Sequence, residues 1–595
     1  MAAASSSDRT RHKLIVGIDY GTTFSGVSYV TTDKSGLDDI NIVTSWPGEQ
    51  GTSSKTPTRI SYSAENPSIT SNKWGFQVHP RLISYSWTKL LLDKNAAVGE
   101  HDDPTLSEML GDGILQLPPF RGAAGVCEDF LREVYTHVSE KFRQEMSAVT
   151  FECTPMECWI TLPAIWSDEG KDATLNAARK AGFGNRAGDE VFTITEPEAA
   201  AIATLRALAS TGSLNAIKPN ENILICDCGG GTVDITTYVV KQVAPALIFD
   251  ELQTGTGGKC GSTYVDRNLH SLLSERFGSS FDDVPFLQKG PGSRFMLSFE
   301  KCKKDFGSTD DREILEIGPI KLEIPDSDHY DADDRSVLLT YEDMQTLFDP
   351  VVAEITSLLS EQVEEAKAKK GARINRLILV GGFAESHYLH NALENWCYMN
   401  GEIHLMRPPN PQAAIVRGAA LRGLEGLAPR KKYARRHYGM CLGMRFRENV
   451  DPETSSYIGR YDDVKRCSTR VKWLISKGDE IMQGTFKEHS FTCDFFPGKE
   501  LVTHTELYSC SLADAPEYMN STRVENVGII RTRLPAEFDF GNAVQSRTKW
   551  PTGEVVHQIT CQIQIVFGGI GSNLTFRTVV NGMVVSTADI VFDHS

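Results

Sequence analysis

Two stretches of the sequence decide the fold: LIVGIDYGTTFSGVSYV at residues 14–30 and ILICDCGGGTVDITTYVV at residues 223–240. Each contains an apolar run typical of a β-strand, then an aspartate, a turn of small residues and a second apolar run. Asp19 aligns with Asp227 in this comparison. We interpret the repetition as a duplicated pair of lobes that each contain one β-hairpin, with chance similarity over a short stretch as the alternative.

The small residues of both turns are suited to binding phosphate. Glycine lets backbone N–H groups approach an anion closely and point at it together. Either turn alone can equally be a tight structural turn, but two turns that face each other would hold one polyphosphate from both sides. The residues predicted to bind phosphate are Gly21, Thr22, Thr23, Gly229, Gly230, Gly231 and Thr232. Asp19 and Asp227, at the strand ends, are predicted to hold Mg²⁺ through its waters.

A third glycine site lies in RLILVGGFAESHYLHNAL, residues 376–393, where an apolar strand runs into Gly381 and Gly382 and then a helix. This arrangement suits a flat nucleoside lying over the backbone. A strand, two glycines and a helix are also a common close-packing turn, so both interpretations stay open. The run GTGGK at 255–259 lacks the spacing and the hydroxyl residue of a Walker loop, and we interpret it as a glycine turn.

The chain of 595 residues is too long for one hydrophobic core. Apolar β-branched runs alternate with helical patterns as far as residue 427, which predicts α/β layers. Beyond it, short alternating runs separated by turn residues predict an all-β region. The predicted organisation is a disordered lead-in at 1–12, lobe I at 13–220, lobe II at 221–427, a basic linker at 428–437 and a β domain at 438–595.

The composition narrows the class of protein. The 61 basic and 78 acidic residues give a net charge of −17, which repels nucleic acid, so we expect no nucleic-acid partner. The 13 cysteines are scattered without a disulfide or zinc framework. No apolar run is long enough for a membrane span. We therefore expect a soluble protein of the cytoplasm, with the nucleus as an alternative.

Six motifs carry a family resemblance, in the order IDYGTTFSGV, WITLPAIWSDEGKDATLNAARKAGF, ITEPEAAAIATL, CDCGGGTVDI, LILVGGFAES and PPNPQAAIVRGAALRGL. Together they resemble the ATPase domain of the heat shock protein 70 (Hsp70) family, within the actin-like superfamily, over residues 13–427. The divergent twelve-type branch is the most similar in appearance. The resemblance implies a two-lobed actin-like ATPase of duplicated ribonuclease-H-like domains, followed by a smaller all-β domain that resembles the peptide-binding β-sandwich without its helical lid.

The resemblance also implies roles for single residues. Lys89, in WTKLLLD, is similar to the catalytic lysine that offsets charge during phosphoryl transfer, although a lysine on a solvated helix face is the alternative. Glu196 and Asp234 resemble the carboxylates that position the attacking water and the metal shell, with a helix-capping role as the alternative for Glu196. The residues that the resemblance places near the ribose and the base are Glu300, Lys303, Lys304, Gly381, Gly382 and Phe383. A solvated helix face is the alternative for the three charged ones.

Three departures from the family pattern bear on function. Glu385 stands where an arginine usually stacks on adenine, and Gln412 stands where an acidic residue commonly follows Asn-Pro. The hydrophobic interdomain linker is replaced by the basic segment 430–436. Base recognition and coupling between the domains are therefore open.

We expect Mg²⁺-dependent hydrolysis of ATP to ADP, coupled to binding of unfolded or extended polypeptide clients. A co-chaperone or a nucleotide exchange factor is a further expected partner. A nucleotide-gated scaffold with negligible hydrolysis is the first alternative, motivated by the departures at Glu385, at Gln412 and in the linker. A small-molecule kinase of the same superfold is the second alternative.

Overall fold

The structure is a computed structural model that describes residues 12–93, 116–209, 215–308, 314–459, 462–482, 485–496, 500–534, 538, 545–549, 554–566, 575–580 and 582–589. The predicted lead-in, apart from His12, lies outside the described residues. The chain forms two compact units, Met1–Pro429 and Arg430–Ser595. No helix in the described part of the chain combines the length and apolarity that a membrane crossing requires.

The first sheet of the larger unit forms around the apolar run at residues 14–19, whose side chains are all buried. This strand pairs antiparallel with the strand that follows it and parallel with Met156–Leu162, which gives the order β3-β2-β1-β8-β9 with β4 beside β2. The strands of this sheet are β1 Leu14–Asp19, β2 Phe24–Thr31, β3 Asn41–Ile42, β4 Thr56–Pro57, β8 Met156–Leu162 and β9 Glu190–Thr195. A separate small sheet of the order β6-β5-β7 contains β5 Arg59–Ser61, β6 Lys73–Trp74 and β7 Tyr85–Ser86. The helices are α1 Ala123–Met146, α2 Ala148–Cys153, α3 Asp168–Ala181 and α4 Glu196–Leu208.

The second sheet repeats this plan, in the order β12-β11-β10-β17-β18 with β13 beside β11. Its strands and those of a small neighbouring sheet are β10 Asn222–Cys228, β11 Val233–Gln242, β12 Ile248–Glu251, β13 Thr256–Gly258, β14 Leu315–Ile317, β15 Tyr330–Asp331, β16 Ser336–Leu339, β17 Arg376–Val380 and β18 His404–Met406. The helices are α5 Thr263–Phe277, α6 Ser279–Asp282, α7 Phe286–Lys289, α8 Arg294–Asp305, α9 Tyr341–Lys370, α10 His387–Met399 and α11 Ala413–Glu425. Two mixed sheets, each built on a hairpin, confirm the predicted fold class of an actin-like α/β protein with a duplicated lobe.

Helices α4 and α11 pack together in an apolar core to which strands of both sheets contribute. The helices can approach closely because a side chain on Gly418 would overlap the backbone of Ala199. Helix α11 also lies on the first sheet, where Ser28 Oγ donates to the Val416 carbonyl at 2.7 Å. The sequence boundaries place 413–425 in lobe II, whereas in the structure this helix covers the sheet of lobe I. The chain therefore returns to its first lobe before the larger unit ends.

The smaller unit is built from antiparallel strands in its described residues, with one short 3₁₀ turn at Glu453–Ser455. Its two largest sheets have the orders β24-β20-β27-β28 and β26-β30-β31-β32, and both contribute side chains to one apolar core. The strands are β19 Lys431–Tyr433, β20 His437–Cys441, β21 Met444–Arg445, β22 Ser456–Ile458, β23 Lys465–Cys467, β24 Val471–Ile475, β25 Glu480–Met482, β26 Phe486–Phe495, β27 Val502–Cys510, β28 Val524–Arg533, β29 Gln545–Lys549, β30 Glu554–Val566, β31 Thr575–Val580 and β32 Met583–Asp589.

The segment 428–437, which the sequence predicts to be a basic linker, takes part in this β structure. Strand β19 pairs with β25. Arg436 is buried and donates to Ser509 Oγ at 2.7 Å and to Glu525 Oε2 at 2.5 Å. Lys431, Lys432 and Arg436 are therefore in strand or ion-pair positions of the smaller unit.

Candidate functional site

The two glycine turns of the duplicated hairpins meet across a cleft in the larger unit. The first turn joins β1 to β2, and the second joins β10 to β11. A side chain on Gly230 would overlap the side chain of Thr23, and one on Gly231 would lie 2.7 Å from Thr22 Oγ1. The turns are therefore in contact distance of each other, as two hairpins that share one ligand require.

The cleft between the turns has a volume of about 490 Å³, including its open mouth. The predicted site residues that line it are Asp19, Gly21, Thr22, Thr23, Lys89, Glu196, Asp227, Gly229, Gly230, Gly231, Thr232, Gly381 and Gly382. Gln412, identified as a departure from the family pattern, lies on the same surface. Asp234, Glu300, Lys303, Lys304 and Phe383 do not contribute to this lining and are located below.

Lys89 and Glu196 form a buried ion pair in the cleft, with Lys89 Nζ 2.8 Å from Glu196 Oε1. Lys89 lies in a 3₁₀ turn at Thr88–Leu91, and Glu196 is the first residue of α4. Burial raises the pKa of Glu196 to about 7; Lys89 acts in the opposite direction, while Asp19 and Asp234 add to the increase. The pair therefore places a fixed cation beside a carboxyl group that titrates near neutrality.

Lys55 lies in the same cleft and was not predicted from the sequence. Its Nζ is 2.6 Å from Asp19 Oδ2, and both side chains are buried. Burial lowers the pKa of Lys55, but the contact with Asp19 raises it, and the net direction is upward. The stem of Lys55 reaches the cleft because β4 pairs with β2, where Gly26 leaves room for the lysine Cγ. In the sequence Lys55 is one lysine in a polar loop, with no pattern that connects it to Asp19.

The aspartates at the strand ends differ in what they contact. Asp19 accepts from Lys55 through Oδ2 and from Thr161 Oγ1, at 3.0 Å, through Oδ1. Asp227 Oδ1 is buried and has no hydrogen-bond partner among the described residues. Burial raises the pKa of Asp227 well above its ordinary value; Glu196, Asp234 and Asp19 raise it further, and Lys55 opposes them. An unsatisfied buried carboxyl oxygen is a position that a cation would fill.

The donor set is therefore compatible with Mg²⁺ at Asp227, while Asp19 is already engaged. The described residues contain no group of three or more His, Cys, Asp or Glu side chains able to hold a metal by themselves. Mg²⁺ bound through one or two carboxylates, waters and substrate phosphates does not require such a group.

Asp234 is buried beside the cleft, where it is held by the backbone. Its Oδ1 accepts from the N–H groups of Ala164 and Ile165, at 2.8 and 3.2 Å. These two residues follow Pro163 in the loop after β8, so Asp234 joins the second hairpin to the first sheet. Its predicted role toward water or metal remains a prediction.

The predicted nucleoside-binding residues of α8 are engaged in ion pairs. Lys303 Nζ lies 2.8 Å from Asp266 Oδ1 and 2.7 Å from Glu300 Oε2. Lys304 Nζ lies 3.7 Å from Glu385 Oε2. Glu385, which departs from the family pattern, therefore pairs with Lys304, which was predicted to lie near the base.

Phe383, which was predicted to lie against the nucleoside, is buried in the core of lobe II. The centroid of its ring is 6.2 Å from that of Phe348. Gly381, in contrast, lies on the cleft with a φ of +92°, and a side chain there would overlap Asp227. The Gly-Gly turn thus contributes backbone to the cleft, and Phe383 anchors it from behind.

Comparison with known proteins assigns the chain to a family. The family model described as "Hsp70 protein" matches residues 130–430, which is half of the chain. The chain belongs to the Hsp70 family. The matched segment contains the second glycine turn, the Gly-Gly turn and α11, and the first glycine turn precedes it.

Two human relatives match this Hsp70 chain over most of its length. Heat shock 70 kDa protein 12A of Homo sapiens is 24% identical, and the match covers 92% of this chain and 88% of the relative. Heat shock 70 kDa protein 12B of Homo sapiens is also 24% identical, with coverages of 88% and 84%. Chaperone protein DnaK of Thermoplasma volcanium is 25% identical over 49% of this chain and 43% of its own length. The matches to the 12A and 12B proteins therefore extend into the smaller unit.

Membership of the Hsp70 family implies that the protein binds a nucleotide. The cleft between the glycine turns is the site whose geometry suits this function. Its lining contains glycines and threonines from both turns, together with Lys55 and Lys89. Backbone N–H groups, hydroxyls and ammonium groups are the donors that bind phosphate oxygens.

Proposed function

We propose that the protein binds ATP between its two lobes, hydrolyses it with Mg²⁺ and uses the change to alter the binding of a polypeptide by the smaller unit. The observation that carries the proposal is the meeting of the two glycine turns across one cleft. A polyphosphate between them would accept hydrogen bonds from both lobes. Loss of the outer phosphate would then remove contacts that hold the lobes together.

Lys89 and Glu196 have the chemistry for the hydrolytic step. A γ-phosphate entering the cleft would offer Lys89 a second anion, and the ammonium would offset the charge that develops during phosphoryl transfer. Glu196 would accept a hydrogen bond from the attacking water and take its proton. When Mg²⁺ is bound, it neutralises charge on the phosphates. Asp227 is the carboxylate that supports metal binding most directly.

A nucleotide-gated scaffold with negligible hydrolysis is the second candidate. It is supported by the ion pair between Lys304 and Glu385, which joins two residues that the sequence places near the base. A nucleotide that must displace this pair would be held by its phosphates more than by its base. Such a site can close the lobes on a ligand without orienting water for attack.

Single-turnover hydrolysis by the purified full chain distinguishes the two candidates. The protein would be present in excess over ATP, with Mg²⁺ added. The variant Lys89→Ala would be compared with the control Lys180→Ala, which removes an exposed lysine at the end of α3. If the protein hydrolyses ATP with Lys89 as proposed, Lys89→Ala should slow the single-turnover rate by about 100-fold or more, and Lys180→Ala should leave this rate unchanged. A rate that is equal in the two variants would favour the scaffold.

Nucleotide binding is measured on the same preparations by calorimetry with ATP, ADP and GTP. The polypeptide part of the proposal is tested by the anisotropy of a labelled extended peptide, recorded without nucleotide, with ADP and with ATP. Equal peptide affinity in all three conditions would contradict the coupling. Absence of nucleotide binding would contradict the proposal as a whole.

A further inference from the structure

Lys55 lies beside Asp19, at the place where a metal ion bound by this aspartate would lie. Its Nζ lies 2.6 Å from Asp19 Oδ2, and its side chain is only 8% exposed. Both residues line the cleft between the glycine turns. The ammonium is therefore a fixed positive charge inside the site predicted to bind phosphate.

The second oxygen of Asp19 is also engaged, because Thr161 Oγ1 donates to it at 3.0 Å. A divalent cation that approached Asp19 would have to displace the ammonium and would be repelled by it at close range. The remaining carboxylate at the strand ends is Asp227, whose Oδ1 has no partner in the described part of the chain. The cleft thus offers a metal fewer free oxygens than its two aspartates suggest.

Lys55 can also contact a phosphate directly. It shares the cleft with Lys89, so that two ammonium groups face a polyphosphate held by the glycine turns. A lysine ammonium has three donors, and the contact with Asp19 leaves capacity for a phosphate oxygen. Asp19 then keeps Lys55 charged and oriented, as an anchoring residue does.

We propose that Lys55 takes over part of the role of Mg²⁺ in this site, so that a nucleoside diphosphate or triphosphate binds with little dependence on the metal. The inference rests on the proposed nucleotide binding. It concerns the binding of the phosphate groups and is independent of whether hydrolysis follows.

The test is the Kd of the full chain for ADP and for ATP, measured by calorimetry in Mg²⁺ and again in EDTA. The quantity compared is the ratio of the Kd in EDTA to the Kd in Mg²⁺. Lys55→Met removes the charge and keeps the length of the side chain, and it frees Asp19 for the metal. Lys55→Arg keeps the charge, and Lys34→Met is the matched control, since Lys34 is an exposed lysine of the same lobe.

The proposal requires that the ratio of the Kd in EDTA to the Kd in Mg²⁺ be about tenfold or more larger for Lys55→Met than for the unmodified chain. The reason is that without Lys55 only the metal can supply this positive charge to the phosphates. Lys34→Met should behave as the unmodified chain does, and Lys55→Arg, which keeps the charge, should raise the ratio less than Lys55→Met does. Ratios that agree within about threefold between the unmodified chain and Lys55→Met would overturn the inference. Absence of nucleotide binding by the unmodified chain in both media would overturn the proposed function as well.

Lys55→Met leaves Asp19 as a buried charge without its cation and can fail to fold. The double variant Lys55→Met with Asp19→Asn removes both charges, and circular dichroism would confirm its folding. In EDTA it should bind ADP about tenfold or more weakly than the unmodified chain. Undiminished binding in EDTA would show that Lys55 does not hold the phosphates.

Discussion

Lys89 carries its charge in surroundings that hold the ammonium in place. Its side chain is 2% exposed, and its Nζ lies 5.7 Å from the ring centroid of Tyr20 and 5.2 Å from that of Trp166. Aromatic faces attract a cation, and breaking a buried ion pair by removing one partner is costly. We therefore expect Glu196 to be released toward water when a phosphate has given Lys89 another anion.

The pKa of Glu196 predicts how hydrolysis depends on pH. With a pKa of about 7, Glu196 is protonated below neutrality and cannot take a proton from water. The single-turnover rate should therefore fall as the pH decreases through about 7 and level off above it. Glu196→Gln should lower the rate about 100-fold or more and remove this dependence. The measurement is the rate of ADP formation from about pH 5.5 to about pH 8.5.

Two controls separate this prediction from a general effect of pH. Glu402→Gln removes an exposed carboxyl group that does not line the cleft. This variant should keep both the rate of hydrolysis and its dependence on pH. ATP affinity is measured at each pH, because weaker binding at low pH would also slow hydrolysis below saturation. A profile that is the same for Glu196→Gln and for the unmodified chain would contradict the assignment.

At the scale of elements, the site depends on how closely two turns approach. A side chain on Gly230 would overlap Thr23. Gly51 lies in an exposed loop, and a Cβ added there would have no described atom within 4 Å. Gly230→Ala should therefore separate the turns and weaken ATP binding by about tenfold or more. Calorimetry with ATP measures this change, and Gly51→Ala should bind ATP as the unmodified chain does. Equal affinities of the two variants would show that the approach of the turns is not required.

The duplicated hairpins could be predicted because their pattern is local. An apolar strand, an aspartate and a small turn are neighbours in the chain, so the repeat indicates both sheets and both turns. The position of α11 could not be predicted in the same way. The helix follows lobe II in the chain, but Gly17 and Gly418 let it pack on β1 and α4, and this close approach depends on contacts far apart in the sequence.

The charged contacts of the site show the same limit. Lys55 reaches Asp19 through the pairing of β4 with β2, and Lys304 reaches Glu385 between α8 and the Gly-Gly turn. A sequence identifies each of these side chains as charged, but the partner is set by tertiary packing. Phe383 illustrates the reverse case, since an aromatic residue beside a predicted binding turn belongs to the core behind it.

At the scale of the whole molecule, the two compact units have separate apolar cores. Each core stabilises the elements around it, so calorimetric unfolding of the full chain should show two transitions. ADP binds in the larger unit under the proposed function and stabilises its folded state by mass action. At roughly 100 times its Kd, ADP should raise the transition of that unit by about 3 °C.

Gly230→Ala is the control for this last prediction, because a site weakened about tenfold should lose about half of the shift at the same ADP concentration. A scan in which ADP moves neither transition would contradict nucleotide binding in the cleft. If ADP also moves the transition of the smaller unit, the binding free energy reaches beyond the unit that contains the site. Such a parallel shift would indicate coupling between the two units, which control of polypeptide binding by ATP requires. Coupling between two binding sites is reciprocal, so a nucleotide that affects the smaller unit would itself be affected by a polypeptide bound there.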